Sequence, residues 1–232
     1  MIQNIPLEKV LFIDIETVPQ SGDWNSLSET DQNLWDKKTK IQRKEDFTAE
    51  EFYKERGGIM AEFGKIICIS VGILEKNEKL MIKSFSGDDE KKLLEEFGEI
   101  FNRPKLRDVI LCAHNGKEFD FPWIARRFLI NGMQPPQPFQ LFGKKPWEIP
   151  HLDTLELWKF GDYKSFVSLE LLANVFGIPT PKDDIDGSMV ASIYYIEKDL
   201  PRIVKYCEKD VLTLANVFRR MRQEDLLEKS ES

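Results

Sequence analysis

Four acids in this sequence could act together: Asp14 and Glu16 in FIDIET, Asp120 in HNGKEFDFP and Asp210 in YCEKDV, with Tyr206 four residues ahead of the last. Asp14 and Glu16 are two apart in an apolar run. On a strand their carboxylates therefore share one face with Phe12, while Ile13 and Ile15 turn the other way. Two acids against an apolar strand repel each other and lose solvation, a cost that a divalent cation offsets. Tyr206 and Asp210, at i and i+4, share a helix face and can point into one cleft. Each segment alone has a plainer reading: a solvated strand end, a helix cap at Asp120, an exposed Asp beside a half-buried Tyr. As a set they fit phosphodiester hydrolysis. That reaction needs a deprotonated water, in-line attack and neutralisation of the departing oxygen, and two divalent ions about 4 Å apart meet all three needs. Carboxylates are hard ligands that suit Mg2+ or Mn2+, and a chain with 2 histidines disfavours zinc.

The elements that must position these residues follow from the hydrophobic pattern. Residues 10–17, 65–74 and 80–85 are β-rich runs that could form a meander. Residues 89–102 carry apolar side chains at helical spacing, stopped by Pro104, and 109–113 (VILCA) reads as a buried strand. Asp120 then stands at the start of a helix over 121–130, where free backbone N–H groups favour a carboxylate. A Pro- and Gly-containing loop over 133–150 leads to a short strand near 151–154, and helices are expected over 168–176, 187–197 and 201–222. The polar stretch 21–63, with Trp24 and Trp35, is too long for a plain loop and reads as a helical insertion that could shape a substrate entrance. The 232 residues read as one domain, with 224–232 a frayed tail.

The three acidic segments, in this order, resemble the exonuclease motifs of the DnaQ-like (DEDD) 3′-to-5′ exonucleases, and in particular the proofreading exonuclease domain of B-family DNA polymerases. Tyr206 ahead of Asp210 points to the tyrosine subgroup. The resemblance implies an α/β, ribonuclease H-like fold: a central mixed five-stranded sheet, its first three strands antiparallel, flanked by helices. It implies two divalent cations, Mg2+ or Mn2+, held by Asp14, Glu16, Asp120 and Asp210, with Tyr206 orienting the attacking water. Thr17, Asn115 and Phe119 match positions that lie against the terminal nucleotides, Phe119 by stacking on a base. The implied substrate is the 3′ end of single-stranded nucleic acid, DNA ranked ahead of RNA, released as nucleoside 5′-monophosphates. A polymerase or repair protein is a possible partner. No polymerase domain follows, so the chain reads as a stand-alone relative; a non-catalytic nucleic-acid-binding module is the rival from another class.

Net charge −7 and pI near 5.1 argue against broad phosphate neutralisation, so only a local basic patch is expected. Two basic groups stand out: Lys37, Lys38, Lys40, Arg43 and Lys44 in the insertion, and Lys144 and Lys145 beside Trp147. The first reads better as a solvated helix face, flanked by Asp36, Glu45 and Asp46. His114, His151 and Asp153 read as loop supports, and Asp183, Asp184 and Asp186 as a turn before Gly187. Cys68, Cys112 and Cys207 are isolated in apolar segments, odd in number and without a CxxC pair, so neither a disulfide framework nor a thiolate zinc site is indicated. With no apolar run of about eighteen residues and no basic leader, a cytoplasmic setting with neither secretion nor a membrane span is expected.

Overall fold

The computed structural model describes residues 2–44, 46–75, 79–106, 108–162, 164–179 and 185–227. Strand β1 (Val10–Pro19) lies at the centre of a five-stranded mixed sheet of order β3-β2-β1-β4-β5. It pairs antiparallel with β2 (Gly64–Leu74), which pairs antiparallel with β3 (Leu80–Ser86), so the three form a meander. On its other side β1 runs parallel to β4 (Ile110–Ala113), which runs parallel to β5 (Leu152–Asp153). β1 and β2 are buried along nearly their whole length because helices cover both faces, which is why their sequences read as continuous apolar runs.

The alternation along β1 divides the core. Leu11, Ile13 and Ile15 face a cluster built with α3 (Glu90–Glu99) and α4 (Asp120–Ile130), which contribute Leu93, Leu94, Phe97, Phe121, Ile124 and Phe128. Val10 and Phe12 face α8 (Leu200–Met221) through Val211, Leu214 and Phe218. Asp199 caps α8 by accepting the Arg202 N–H, and Pro201 occupies its first turn, where a missing N–H costs nothing. Its buried stripe, Ile203, Cys207, Val211, Leu214 and Phe218, follows helical spacing.

A buried ion pair ties the first layer together. Glu90 accepts from Arg127 Nε (2.8 Å), Asn131 Nδ2 (2.9 Å) and the Ile66 N–H (2.7 Å), while Arg127 Nη1 donates to the Ala61 carbonyl (2.8 Å). Removing one partner strands the other in an apolar setting. Glu90→Ala is accordingly expected to cost about 3–5 kcal/mol of unfolding free energy, read by urea denaturation; a cost below about 1 kcal/mol would mean that water replaces the carboxylate.

The 21–63 segment is helical: α1 (Glu29–Arg43) and α2 (Ala49–Arg56) form a hairpin, and a tight turn, Gly57–Ile59, returns the chain to β2. Thr48 and Glu51 form a capping box at the start of α2. Buried Trp35 is the hub. Its ring meets Tyr53 at 5.3 Å and Phe63 at 5.1 Å, and its Nε1 donates to the Ala49 carbonyl at 2.8 Å.

The short strand expected near 151–154 is β5, and an unexpected helix follows it directly: the Asp153 carboxylate accepts the N–H groups of Leu155 and Glu156 and starts α5 (Thr154–Lys159). Two expectations are corrected. The helix expected over 187–197 is a short α7 (Val190–Ser192) continuing as a π-turn, Ile193–Glu197, ended by Lys198 at φ 60°. The tail expected to fray from 224 is tied down as far as Leu227: Arg219 Nε donates to the Asp225 carbonyl (2.6 Å) and Leu227 N to Asn216 Oδ1 (2.8 Å). The expected helix over 168–176 is α6 (Leu169–Val175). Among the described residues no helix is long and apolar enough to cross a membrane.

Candidate active site

β1 runs on past Phe12, the last residue it pairs with β4, and Asp14 and Glu16 lie in that extension. There the chain leaves β4 through His114–Phe119 and enters α4, opening a crevice beyond the carboxyl ends of the parallel strands, the usual ligand position in open α/β sheets. In the antiparallel register with β2, Asp14 lies opposite Ser70 and Glu16 opposite Cys68, and the pairing shifts between Glu16 and Thr17. Helix α8 crosses this face. It is tied to the sheet by the Ser70, Ser84 and Glu208 chain, with Ser70 Oγ and Ser84 Oγ 2.9 Å apart and Ser84 Oγ donating to Glu208 Oε1 at 2.7 Å. That seating puts Tyr206 and Asp210 beside Asp14 and Glu16 in one cleft of about 780 Å³, within the ordinary range for ligand sites.

The carboxylates share one electrostatic field. Burial, then the charges of Glu16, Asp210 and Asp120, holds the Asp14 carboxyl well above the usual range. Glu16 is raised likewise, by burial first and then by Asp210, Cys68 and Asp120. Tyr206 is hydrogen-bonded to Asp210, and burial together with the surrounding acids pushes its phenol up, so it stays a neutral donor. Asp120 opens α4 and is 4% exposed. Burial raises it to about 7, Asp153 adds to the rise, and hydrogen bonds from its own N–H and that of Ile15 offset part of it. Its field reaches Asp14 and Glu16, but it is not among the residues lining the cleft.

Asp14 Oδ2 is sealed from solvent and has no hydrogen-bond partner among the described residues. A desolvated carboxylate oxygen without a partner is costly unless it is protonated or bound by a cation. One ligand atom from each of Asp14, Glu16 and Cys207 lies within 4.8 Å of the others. The Cys207 thiol donates instead to the Asp14 carbonyl (3.5 Å), and burial pushes it up, so it remains a protonated, poor ligand. The donor set that fits a metal is therefore oxygen, suited to a hard divalent cation.

Of the other residues singled out in the sequence, Thr17 and Phe119 line the cleft and Asn115 does not. The Thr17 hydroxyl donates to the Gly58 carbonyl (2.6 Å), and Phe119 leans on Trp123 (ring centroids 6.1 Å). Asn115 adopts φ 62° in a turn whose N–H groups at Asn115 and Lys117 donate to Asp153. Gly116 is required in this turn, because a Cβ there would fall 2.3 Å from the Ala113 methyl. His114 sits between Thr154 Oγ1 (2.9 Å) and the Val167 carbonyl (2.8 Å), and His151 between the Leu111 N–H (3.2 Å) and the Pro138 carbonyl (2.7 Å). Both histidines are thus spent on loop support.

The basic run of α1 lies away from the cleft, with Arg43 paired to Asp36, and so does the 144–147 group, where Lys145 covers the exposed Trp147 ring at 5.3 Å. Asp186 accepts the Ser188 N–H in a turn; Asp183 and Asp184 lie outside the described residues. Lys54, Arg56, Gly58 and Ile59 line the cleft and were not singled out. Two basic residues closing a helix before Gly57-Gly58 are the signal that could have pointed to them.

No curated protein is recognisably similar in sequence. The family B DNA polymerase of the hyperthermophilic archaeon Pyrobaculum calidifontis is similar in structure, with TM-score 0.57 and 15% identity over 93% of this chain; the chain spans 24% of that polymerase. The likeness supports the ribonuclease H-like fold. The ExoI/SSB-Ct complex is also matched, with TM-score 0.43 and 13% identity over 85% of this chain and 42% of that one. A family described as predicted 3′-5′ exonucleases related to the exonuclease domain of PolB matches residues 59–230, a span that includes Asp120, Tyr206 and Asp210 and begins after the β1 acids. The chain belongs to this 3′-5′ exonuclease family.

Proposed function

We propose that the chain removes nucleotides from the 3′ end of single-stranded DNA by metal-dependent hydrolysis of phosphodiester bonds, releasing nucleoside 5′-monophosphates. The observation that carries this is the sealed Asp14 Oδ2, partnerless among the described residues, in a cleft shared with Glu16, Asp210 and Tyr206. Asp14, Glu16 and Asp210 would hold divalent cations, with Asp120 assisting from behind. Mg2+ or Mn2+ bound there supplies water activation and neutralises charge on the leaving 3′ oxygen. Phe119 offers a ring to a base in the cleft, and stacking accepts any base, which suits end-trimming without sequence preference.

The Tyr206 phenol, kept neutral by burial and by the surrounding acids, would orient the attacking water. Tyr206→Phe is expected to lower kcat by about 10²-fold with KM little changed, since the contact is made to the reacting water rather than to the strand. A raised KM with kcat unchanged would instead assign the hydroxyl to substrate binding.

The reading is tested with 5′-labelled DNA and RNA strands of one sequence, incubated with Mg2+, Mn2+ or chelator. A metal-dependent 3′-shortening ladder supports it, and the faster polymer names the sugar preference. Tight metal-independent binding without shortening would instead make the chain a binding module.

A further inference from the structure

Asp14, Glu16 and Asp210 repel a phosphodiester strand, and the whole chain carries net charge −7. A polyanion seated in this cleft needs cations at short range. Among the described residues lining the cleft the cations are Lys54 and Arg56, both in the last turn of α2, with Glu55 between them subtracting one charge. Lys54 is paired with Glu50 at 2.8 Å, but side-chain exposures of 58% and 41% make that bond easy to exchange for another anion. Arg56 is exposed, and its side chain makes no ion pair or hydrogen bond among the described residues. Its planar fork matches phosphate oxygens.

The turn behind Arg56 is rigid. Its carbonyls are pinned one after another: Gly58 by Thr17 Oγ1 (2.6 Å), Ile59 by Trp123 Nε1 (2.8 Å), Ala61 by Arg127 Nη1 (2.8 Å) and Phe63 by the Tyr53 hydroxyl (3.5 Å). Gly58 packs so close to β1 that a Cβ would lie 3.1 Å from the Val18 backbone. The pins come from β1, α2 and α4, so the backbone that carries the two cations is fixed relative to the carboxylates, and only their exposed side chains remain to be ordered when a strand arrives.

We propose that the 21–63 insertion is the phosphate-holding wall of the cleft: Arg56, seconded by Lys54, grips backbone phosphates of a single strand whose end lies at the carboxylates. This rests on the nuclease reading and deepens it.

The test is binding of a fluorescein-labelled oligothymidylate by the full chain with Ca2+, across a sodium chloride series, beside steady-state kinetics with Mg2+ or Mn2+. Lys54→Ala/Arg56→Ala is expected to weaken binding and raise KM about tenfold or more. It should also flatten the slope of log affinity against log salt by about 1, as loss of one to two phosphate contacts on a single strand requires. Arg56→Lys falls between, and Lys37→Ala/Lys38→Ala on α1 matches wild type. Wild-type affinity and slope in the double variant, or no binding by wild type, overturns the proposal. If the wild-type chain binds with the expected slope dependence yet shortens nothing, the nuclease reading fails while the wall stands. If it shortens strands and the double variant keeps wild-type KM, the reverse holds.

Discussion

Asp14→Ala is expected to reduce 3′ shortening of a labelled single strand by about 10³-fold or more in kcat/KM and, in chelator, to raise the melting temperature. The two effects share one cause. Asp14 is partly buried, faces the charges of Glu16, Asp210 and Asp120, and keeps its Oδ2 sealed from solvent without a partner among the described residues. An arrangement so costly without a cation is the kind of strain that a working site retains, and removing it relieves the metal-free protein. A relief of about 1–2 kcal/mol corresponds to about 2–8 °C for a chain of this size. Mn2+ should raise the melting temperature of the wild type by mass action and leave the variant nearly unmoved. A variant that melts lower than wild type in chelator would make Asp14 a structural residue, and one that keeps its activity would remove it from the chemistry.

Asp120→Asn separates a second role by pH. The Asp120 carboxyl titrates at about 7 in the fold because it is buried, against about 3.9 in an unfolded chain. Its folded value is raised, so between these limits the native state binds more protons than the unfolded one. The ionised carboxylate therefore costs stability above about pH 7, the cost shrinks as pH falls, and it is gone below about pH 4. Asn mimics the neutral form and can still accept the Ile15 N–H. In chelator the variant is expected to be the more stable protein above pH 7, by on the order of a few kcal/mol, with the gap closing toward pH 4. Comparing variant with wild type at each pH cancels His114 and His151, whose burial lowers them and whose pH dependence has the opposite sign. Activity should fall about 10²-fold or more at every pH, since the amide carries no charge to share with a cation. Urea titrations at matched pH give the gap; a gap that does not change with pH would show that Asp120 is ionised in both states throughout.

The strands were legible because burial on both faces makes β1, β2 and β4 runs rich in apolar and β-branched residues. The acids were legible because fixed spacing does their geometry: two along a strand shares a face, four along a helix shares a face. What the sequence hid depends on contacts between distant segments. The turn that follows Arg56 is set against the cleft by bonds from Thr17, Trp123 and Arg127, across 41, 64 and 66 positions of sequence, and no local pattern around Arg56 announces them. The α1 lysines stand out by charge density, which says nothing about which wall a helix presents, and their reading as a solvated face agrees with their absence from the cleft lining. Helix α5 was missed because Asp153 reads as a strand-end acid, whereas its carboxylate stitches the α5 start to the Asn115 turn. The tail was read from composition alone, and composition does not reveal that Asn216 waits for the Leu227 N–H.

The seating of α8 against β1 also governs when the cleft comes into being. Cys207 and Asp14 meet across 193 positions of sequence, so the carboxylate set closes over almost all of the intervening chain. Contacts of that span form late and slowly, because the loop they close must be ordered first. A growing polypeptide that has made β1 but not α8 holds Asp14 and Glu16 without Tyr206 and Asp210. The proposed hydrolytic activity should thus appear in one step, after α8 docks, and a ribosome-bound intermediate lacking α8 would leave the nucleic acids around it intact.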